Sequence, residues 1–392
     1  MQLMLLLSIV GAIAMRAGFA IQAAGMVRSK NSAAAICRHL CDLCIAILGF
    51  WAVGMAIMAG GGSFFWMAPE LIMGWETNAT NAAFPLVAGV LIATAIVPGV
   101  LAERARFWPA LWTGLALSTI VIPVIGAWAA GGTGFLANLK LLDLLGATTI
   151  HWPGAVAATV AALFVGARTG KFNRDGSSTA IPGHSVPLAG AGLFILLFGW
   201  MMWGGLGALR PLLLAGAAGG MASLILSQVR YYKPDLHLIS AGLLGALVAA
   251  SAGGATLSSV GAVITGGVAG VLVPMAILII DVRFRIDDPS GGIAIHGIGA
   301  AWGALSAPFL NVASFDFVDR LKSLGANSLA LVLAGALSAG VSFALWTVLK
   351  KTTPLKVKEH DEFDGLDLAE HDIGAYPDFQ QNTIKSYHLR EV

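Results

Sequence analysis

Eleven apolar stretches, each long enough to cross a bilayer, constrain the fold of this chain more than any other feature of its sequence. A transmembrane helix needs about 20 consecutive residues that are mostly apolar. Such stretches occupy residues 1–25, 34–60, 81–102, 107–128, 145–167, 187–208, 210–229, 237–254, 258–281, 291–311 and 324–349. Only 11% of the residues are charged, which leaves no room for a sizeable soluble domain. The sequence therefore predicts an all-α polytopic membrane protein with eleven transmembrane helices.

The Lys and Arg residues of the short loops predict the orientation, because cytoplasmic loops are enriched in positive charge. Most of them fall on one side of the predicted spans: Arg28, Lys30, Arg38, Arg104, Arg106, Arg168, Lys171, Arg174, Arg230, Lys233, Arg283, Arg285, Lys350 and Lys351. The loops on the other side contain only Lys140, Arg210, Arg320 and Lys322. We expect a multi-pass protein of the cell's inner (plasma) membrane, with the N-terminus outside and the C-terminus in the cytoplasm.

Residues 350–392 form a polar tail after the predicted membrane domain, residues 1–349. The tail combines an acidic stretch with several aromatic residues, and it is too short to fold as a separate domain. We expect it to dock on the cytoplasmic face.

One motif with ionisable residues occurs twice. Residues 143–155 read DLLGATTIHWPGA, and residues 288–300 read DPSGGIAIHGIGA, with Asp287 directly before the second copy. Both fit the pattern Asp-x-x-Gly-x-x-x-Ile-His-x-x-Gly-Ala. His151 and His296 thus lie in apolar, Gly-rich stretches, where an ionisable side chain is costly and usually functional.

The two histidines lie in the fifth and tenth predicted spans, and an odd offset of five spans reverses the direction of the second copy. Spans one to five and six to ten are therefore predicted to form an inverted repeat, with span eleven left over. Transporters built this way place their site near the midplane, where the two repeats meet. We expect His151 and His296 to meet there, with Asp143 towards the outer end of its helix and Asp288 towards the inner end.

Two neutral imidazoles in a dry channel are suited to passing a proton, because their ring nitrogens donate or accept hydrogen bonds. A small amine crosses far more cheaply once it has shed its proton, since an intact cation pays a large desolvation cost. Asp143 has two interpretations: it stabilises a cation at the pore mouth, or it caps the N-terminus of span five. The histidines have an alternative too, as core residues bonded to backbone carbonyls.

A divalent-metal site is a weaker hypothesis, because metal ions need several converging ligands and the spans contain almost no carboxylates. We therefore predict a protein with no metal, no cofactor and no nucleic-acid partner, and one that is not an enzyme.

Several stretches of the sequence also resemble the motifs of one known family. They are AGFAIQAAGMVRSKN (17–31), GVLAERARF (99–107), the two Asp-to-His segments, FGW (198–200) and EFDGLDLAEHDIGAYPD (362–378). Together they resemble the ammonium transporter (Amt/Rh) family over nearly the whole chain. The resemblance implies eleven spans, a homotrimer with one pore per subunit, and twin pore histidines at His151 and His296. It also implies that Asp143 is needed for folding or for cation recruitment.

The resemblance further implies a cytoplasmic tail that couples the subunits and contacts PII regulatory proteins. The tail residues that match the family motif include Gly365, Asp367, Glu370, His371 and Tyr376.

The sequence departs from the family at the outer entrance of the pore. Members of the family usually stack two phenylalanines over the pore and place a Trp and a Ser at the outer recruitment site. Counted from the neighbouring motifs, the corresponding positions hold Gly89, Trp203, Gly131 and Gly207, and the nearest other aromatic residues are Phe84 and Trp128. We therefore predict a remodelled entrance, with Trp203 and Trp128 as candidates to line it.

Three functional hypotheses follow from these observations. The first is a transporter or channel that moves ammonium as ammonia plus a proton through the twin-histidine pore. The altered entrance and the family-like tail favour a second, an ammonium sensor or regulatory scaffold with little flux. The third is a channel for another small neutral gas, such as carbon dioxide.

Overall fold

The computed structural model describes residues 2–60, 80–130, 134–312 and 316–377, which are almost entirely helical and contain no β-strand. The long helices are α1 (Gln2–Met26), α2 (Ser32–Gly49, continued by Phe50–Gly54 and Met55–Ala59), α3 (Thr80–Val100), α4 (Phe107–Ala116, continued by Leu117–Val121 and Ile122–Ala129), α5 (Ala147–His151 followed by Trp152–Val165), α6 (Val186–Tyr231), α7 (Leu236–Gly253), α8 (Ser259–Val282), α9 (Ile293–Ile298 followed by Gly299–Leu310) and α10 (Phe317–Thr352). Two short helices, α11 (Glu359–Asp364) and α12 (Leu366–His371), follow α10, and single turns occupy Ser29–Asn31, Phe135–Asn138 and Gly254–Thr256.

The prediction of an all-α polytopic membrane protein is confirmed. Within the described ranges, 8 helices are long and apolar enough to cross a membrane. Two shorter apolar helices, Val87–Val100 and Ala294–Leu310, correspond to the third and tenth predicted spans. Since α6 contains both the sixth and the seventh, the helices account for all the predicted apolar stretches.

The long helix α6 bends sharply at Gly205. A straight helix of 46 residues would be about 69 Å long, more than twice the roughly 30 Å thickness of the bilayer's hydrocarbon core. Gly205 has φ 63° and ψ −178°, a combination that essentially only glycine adopts. The break expected near residue 209 therefore lies at Gly205, as a bend rather than a loop.

Glycines spaced by seven let α1 pack closely against the first half of α6. A Cβ atom added at Gly11 would lie 2.6 Å from the backbone nitrogen of Trp203, and one at Gly18 would lie 2.7 Å from that of Leu196. The contacts run in opposite directions along the two helices, so α1 and α6 are antiparallel. Small residues at such contacts are typical of membrane helices, because no hydrophobic drive presses helices together in lipid.

The last long helix, α10, holds α5. The indole Nε1 of Trp152 donates to the Leu331 carbonyl at 2.8 Å, and the Ser338 hydroxyl donates to the Pro153 carbonyl at 2.6 Å. Both bonds join α10 to the turn directly after His151. The backbone of His151 is therefore held by α10 directly after the histidine, in addition to the motif residues that precede it.

The basic loops meet at one end of the helix bundle, which we call the basic end. Arg28, from the loop after α1, pairs with Glu103 after α3 at 2.9 Å. Arg168, from the loop after α5, pairs with the same carboxylate and with Asp287 before α9. The chain after α10 also returns to this end, where Lys356 donates to the Ala167 carbonyl.

Candidate functional site

The two motif histidines lie side by side between α5 and α9. Nδ1 of His151 and Nδ1 of His296 are 3.1 Å apart, although the residues are 145 positions apart in the sequence. The ring planes differ by 12° and the ring centroids are 5.1 Å apart. Both side chains are buried, with 0% and 2% of their surface exposed. The structure thus brings together the two residues that the repeated motif singled out.

Each histidine belongs to a widened helical turn. The segments Ala147–His151 and Ile293–Ile298 are π-helical, and a glycine in the left-handed conformation stands shortly before each, with φ 77° at Gly146 and φ 68° at Gly291. The N–H of His151 donates to the Gly146 carbonyl, five residues back, at 2.9 Å. Such turns frequently occur at functional sites, although α2 and α4 of this chain also contain π-helical segments, at Phe50–Gly54 and Leu117–Val121.

Asp143 and Asp288 cap these two segments. Asp143 accepts hydrogen bonds from the backbone N–H and the hydroxyl of Thr149, at 2.9 and 2.8 Å. Asp288 accepts from the backbone N–H of Ile293 at 2.8 Å and from the Ser290 hydroxyl at 2.9 Å. These bonds satisfy N–H groups that have no partner within the helix. The contacts fit the capping interpretation of Asp143, and its role in cation recruitment stays a prediction.

The Nδ1 contact determines what the imidazole pair offers chemically. A neutral imidazole carries its proton on one nitrogen only, so one ring donates through Nδ1 and the other accepts. The donating ring then has an unprotonated Nε2, and the accepting ring has a protonated Nε2. Nε2 of His151 is buried and has no hydrogen-bond partner among the residues that the structure describes. The pair therefore combines one hydrogen-bond acceptor and one donor within an apolar environment.

Two aromatic residues that the sequence analysis did not assign to the site contact the imidazoles. The Trp200 ring lies 5.1 Å from the His151 ring with planes 16° apart, and the Phe19 ring lies 5.6 Å from the His296 ring. Trp200 is held by a hydrogen bond of 3.1 Å from its Nε1 to the Ser251 hydroxyl. Both residues belong to stretches that carry the family resemblance, which was the available signal.

The residues predicted to line the outer entrance are spread over several elements. Trp203 is buried in α6, two residues before the bend, and its Nε1 has no hydrogen-bond partner in the described part of the chain. Gly207 lies just beyond the bend and is exposed. Trp128, near the end of α4, packs against Phe135 with ring centroids 5.8 Å apart. The Phe84 side chain and all of Gly131 lie outside the described residues.

Ile150 fills the space beside Gly89. A Cβ atom at Gly89 would lie 2.8 Å from Cδ1 of Ile150, the residue directly before His151. An aliphatic side chain from α5 thus lies where the resemblance implied a phenylalanine from α3.

A buried ion network fixes the start of α9 at the basic end. Arg168 donates from Nε and Nη2 to the Asp287 carboxylate, at 2.9 Å each, and also pairs with Glu103. Arg104 donates to the Asp287 carbonyl at 2.6 Å. Burial alone would raise the pKa of Asp287, but hydrogen bonds from Arg168 and the positive charges of Arg104 and Arg168 lower that pKa to about 2. Asp287 is therefore ionised at any physiological pH.

A cavity of about 170 Å³ lies beside this network. Its lining includes Arg168, Asp287, Asp288, Gly291 and Ala294. Ala294 is two residues before His296 in α9, and neither histidine belongs to the lining of the cavity.

Tail carboxylates cap two helices of the membrane domain. Asp367 accepts a hydrogen bond from the backbone N–H of Ala34, near the start of α2, at 2.7 Å. Glu370 accepts from the backbone N–H of Phe107, the first residue of α4, at 2.9 Å, and pairs with Arg38 at 3.1 Å. A negative charge at a helix N-terminus is stabilising, so the tail completes both helix ends.

The other predicted tail residues also contact the basic end. Gly365 lies against Lys30, where a Cβ atom would be 2.5 Å from the Lys30 carbonyl oxygen. The His371 ring packs edge-on against Phe107, and the Tyr376 hydroxyl is 2.7 Å from Nε2 of His184. The tail therefore docks across the loops that follow α1 and α5 and across the starts of α2 and α4.

Among the described residues, no group of three or more His, Cys, Asp or Glu side chains is arranged to hold a metal ion.

Comparison with known proteins gives consistent matches. A model of the Ammonium Transporter Family matches residues 3–376. Ammonium transporter Amt2 of Archaeoglobus fulgidus is 30% identical over 93% of this chain and 86% of its own length. Putative ammonium transporter 1 of Caenorhabditis elegans is 32% identical over 93% of this chain and 76% of its own length.

Two solved structures show the same fold. One is described as a Sensor Amt Protein and superposes with a TM-score of 0.88 at 30% identity, covering 94% of this chain and 98% of that chain. The other, Mep2 of Saccharomyces cerevisiae, has a TM-score of 0.80 at 19% identity, covering 92% of this chain and 87% of that chain.

Proposed function

This chain belongs to the ammonium transporter family, a family of transporters rather than enzymes, and we propose that it moves ammonium as ammonia plus a proton through a pore at His151 and His296. The observation that carries the proposal is the contact of 3.1 Å between the two buried Nδ1 atoms. It supplies a proton acceptor and a proton donor at one point of an otherwise apolar interior.

The environment of the pair favours a neutral permeant over a cation. An ammonium ion in such a site loses its hydration, and burying an unpaired cation costs far more than burying a neutral polar molecule. Ammonium therefore leaves its proton behind, and ammonia passes along the imidazoles. The ring whose Nε2 is unprotonated takes up the proton there and passes its Nδ1 proton to the other ring, which releases the proton from its own Nε2. Each ring then holds the other tautomer, and the pair must return to its first tautomers before it passes the next proton.

The route has an outer and an inner end. The basic end is the cytoplasmic face, following the positive charge of its loops, and the cavity lined by Asp288 and Ala294 is the inner exit. Asp143 lies towards the outer end, where Trp203 and Trp128 line a remodelled entrance. The protein is a homotrimer of the plasma membrane with one pore per subunit, and its docked tail is the surface that a PII-type protein contacts.

The first experiment measures the current evoked by an ammonium pulse on purified protein in supported membranes. The variants are the wild type, the double variant His151→Ala, His296→Ala, and the matched control His237→Ala, which removes an exposed histidine. We expect a sustained, saturable current that the double variant reduces about 10²-fold, as when a positioned proton-transfer group is lost. The control should retain the wild-type current. An unchanged current in the double variant contradicts the proposal.

A second candidate function is an ammonium sensor that binds its ligand with little flux. The structural likeness to a Sensor Amt Protein favours it, together with Trp203 buried at a position where the resemblance implied a phenylalanine. The same preparation decides between the two functions. Saturable ammonium binding by calorimetry, with only a brief transient current, supports the sensor, whereas a sustained current supports the transporter.

A further inference from the structure

A second buried charge centre lies between α1, α2 and α3. Arg16, in the middle of α1, is 3% exposed, and Asp42 of α2 is fully buried. Nη1 and Nη2 of Arg16 both donate to Oδ2 of Asp42 at 2.8 Å. A charged pair at this depth is expensive, and such pairs in membrane proteins are usually functional.

Arg16 also ties the three helices together through other groups. Nη2 donates to the His39 carbonyl of α2 at 2.8 Å, and Nη1 donates to the Leu91 carbonyl and the Thr94 hydroxyl of α3, at 3.2 and 3.1 Å. The planar guanidinium fork is suited to several simultaneous acceptors, which a lysine ammonium cannot replace.

Gly114 of α4 makes room for this pair. A Cβ atom at Gly114 would collide with Oδ1 of Asp42. The carboxylate can therefore remain beside Arg16 only because α4 has no side chain at this position.

The charge centre lies behind the contacts that support both pore histidines. Phe19 is three residues after Arg16, on the same face of α1, and its ring packs 5.6 Å from the His296 ring. Leu91, bonded to Arg16, is two residues after Gly89, whose space is filled by Ile150. The side chains that contact or precede each histidine thus rest on helices that Arg16 joins.

We propose that the Arg16–Asp42 pair positions the two imidazoles by holding α1, α2 and α3 together behind them. The proposal rests on the proposed function, in which His151 and His296 pass a proton. With both charges present, the centre is neutral as a whole. Without Asp42, Arg16 loses the carboxylate that orients its guanidinium fork. Without Arg16, the hydrogen bonds that connect α1 with α2 and α3 are lost, and the Asp42 carboxylate is left unpaired.

The test compares Arg16→Gln, Asp42→Asn, the double variant of both, and Arg16→Lys, with Asp319→Asn as a control. Asp319 pairs with Lys140 at the end of the bundle opposite the basic end. Its variant therefore also removes one carboxylate from an ion pair. Nitrogen-15 NMR of labelled histidines, without ammonium, reports which ring nitrogens are protonated and hydrogen-bonded. The ammonium-pulse current is measured on the same proteins.

We expect each single neutral variant to change the imidazole nitrogen signals and to lower the current about tenfold, since a misplacement of about 1 Å at a reacting group costs up to about 10²-fold. The double variant leaves no unpaired charge but still lacks the guanidinium fork, so its nitrogen signals should stay altered. Arg16→Lys should resemble Arg16→Gln in its nitrogen signals, because it keeps the charge and loses the fork.

Gly114→Ala provides an independent variant that alters no charge and displaces Asp42. It should change the nitrogen signals in the same direction as Asp42→Asn, which keeps the proposal testable if the charge variants fail to fold. Wild-type nitrogen signals in these variants, in folded protein, overturn the proposal. A wild-type protein without sustained current would contradict the proposed function instead, and the nitrogen signals would still decide whether Arg16 and Asp42 position the histidines.

Discussion

Asp143 and Asp288 form equivalent caps at the starts of α5 and α9, yet their neighbours differ. Asp288 follows Asp287, which is held in a buried network with Arg168 and Arg104 at the basic end. Asp143 follows Leu142, whose backbone N–H donates to the side-chain oxygen of Asn327, a neutral partner, at 2.9 Å. The repeated motif therefore gives both histidines the same local geometry, while the surrounding charge makes the two ends of the site different.

The surfaces behind the histidines differ in the same way. His151 is backed by Trp200, whose indole is held by a hydrogen bond to Ser251. His296 is backed by Phe19, which has no polar group and depends on the packing of α1. A symmetric pair of imidazoles thus lies in an asymmetric setting, which a transporter needs if its outer and inner ends are to do different tasks.

The largest expected effect comes from the buried ion network around Asp287 at the basic end. Asp287→Ala leaves Arg168 and Arg104 without their buried carboxylate, and breaking a buried ion pair costs about 3–5 kcal/mol. We expect the free energy of unfolding, measured by denaturant titration in detergent, to fall by that amount. The exposed pair of Lys140 and Asp319 provides the control, since Asp319→Ala should cost no more than about 1 kcal/mol. Equal losses in the two variants would show that the network does not hold α9.

The pH dependence of stability sharpens the same comparison. The pKa of Asp287 in the folded protein is about 2, below its ordinary value of 3.8. Its ionised form therefore contributes stability that is complete above about pH 4 and is lost as the pH falls towards about 2, an effect of about 2 kcal/mol. Asp287→Asn should lack this component when unfolding is measured at both ends of the range. An identical acid dependence in the variant would contradict the assignment.

A smaller effect tests the equivalence of the two caps. Asp143→Ala and Asp288→Ala each remove a capping carboxylate, and each should lower the free energy of unfolding by about 1 kcal/mol. Asparagine at either position keeps an acceptor oxygen and should cost less. If Asp143→Asn weakens ammonium binding in calorimetry and leaves stability unchanged, Asp143 has the cation role that the caps do not explain.

The smallest expected effect concerns the aromatic support of His151. Trp200→Phe keeps a ring against the imidazole and removes the hydrogen bond to Ser251, which is worth about 0.5–1.5 kcal/mol. We expect a loss of stability of that size and a modest decrease in current. A larger loss of current than in Phe19→Leu would show that the two supports are unequal in function as well as in structure.

The apolar stretches were sufficient to predict the helices, because length and hydropathy are local properties of the sequence. The repeated motif placed His151 and His296 in corresponding turns for the same reason. Gly205 was not identified as the break in α6, since a bend within a continuous apolar run changes neither hydropathy nor length by much. The predicted boundary a few residues later reflects that limit.

Contacts between helices that are far apart in the chain could not be predicted from the sequence. Trp200 and Phe19 belong to recognised stretches, but only the packing of α6 and α1 shows which histidine each one contacts. Arg16 and Asp42 were missed because they lie in different apolar stretches, and their pairing depends on the space that Gly114 leaves in α4. Counting from motifs located Gly89, although it did not reveal that Ile150 occupies the neighbouring volume.

The π-helical turns that contain the two histidines make the site sensitive to insertions and deletions. An α-helix turns by about 100° per residue. A π-helical turn holds one extra residue, because its hydrogen bonds span five residues instead of four. Loss of one threonine from Ala147–His151 would restore ordinary winding and rotate the His151 ring away from its partner, with the Asp, Gly, Ile and His of the motif all still present. The position of the His151 ring therefore depends on the number of residues in this turn as well as on their identity. A deletion of one position there would disturb the histidine pair more than most substitutions would.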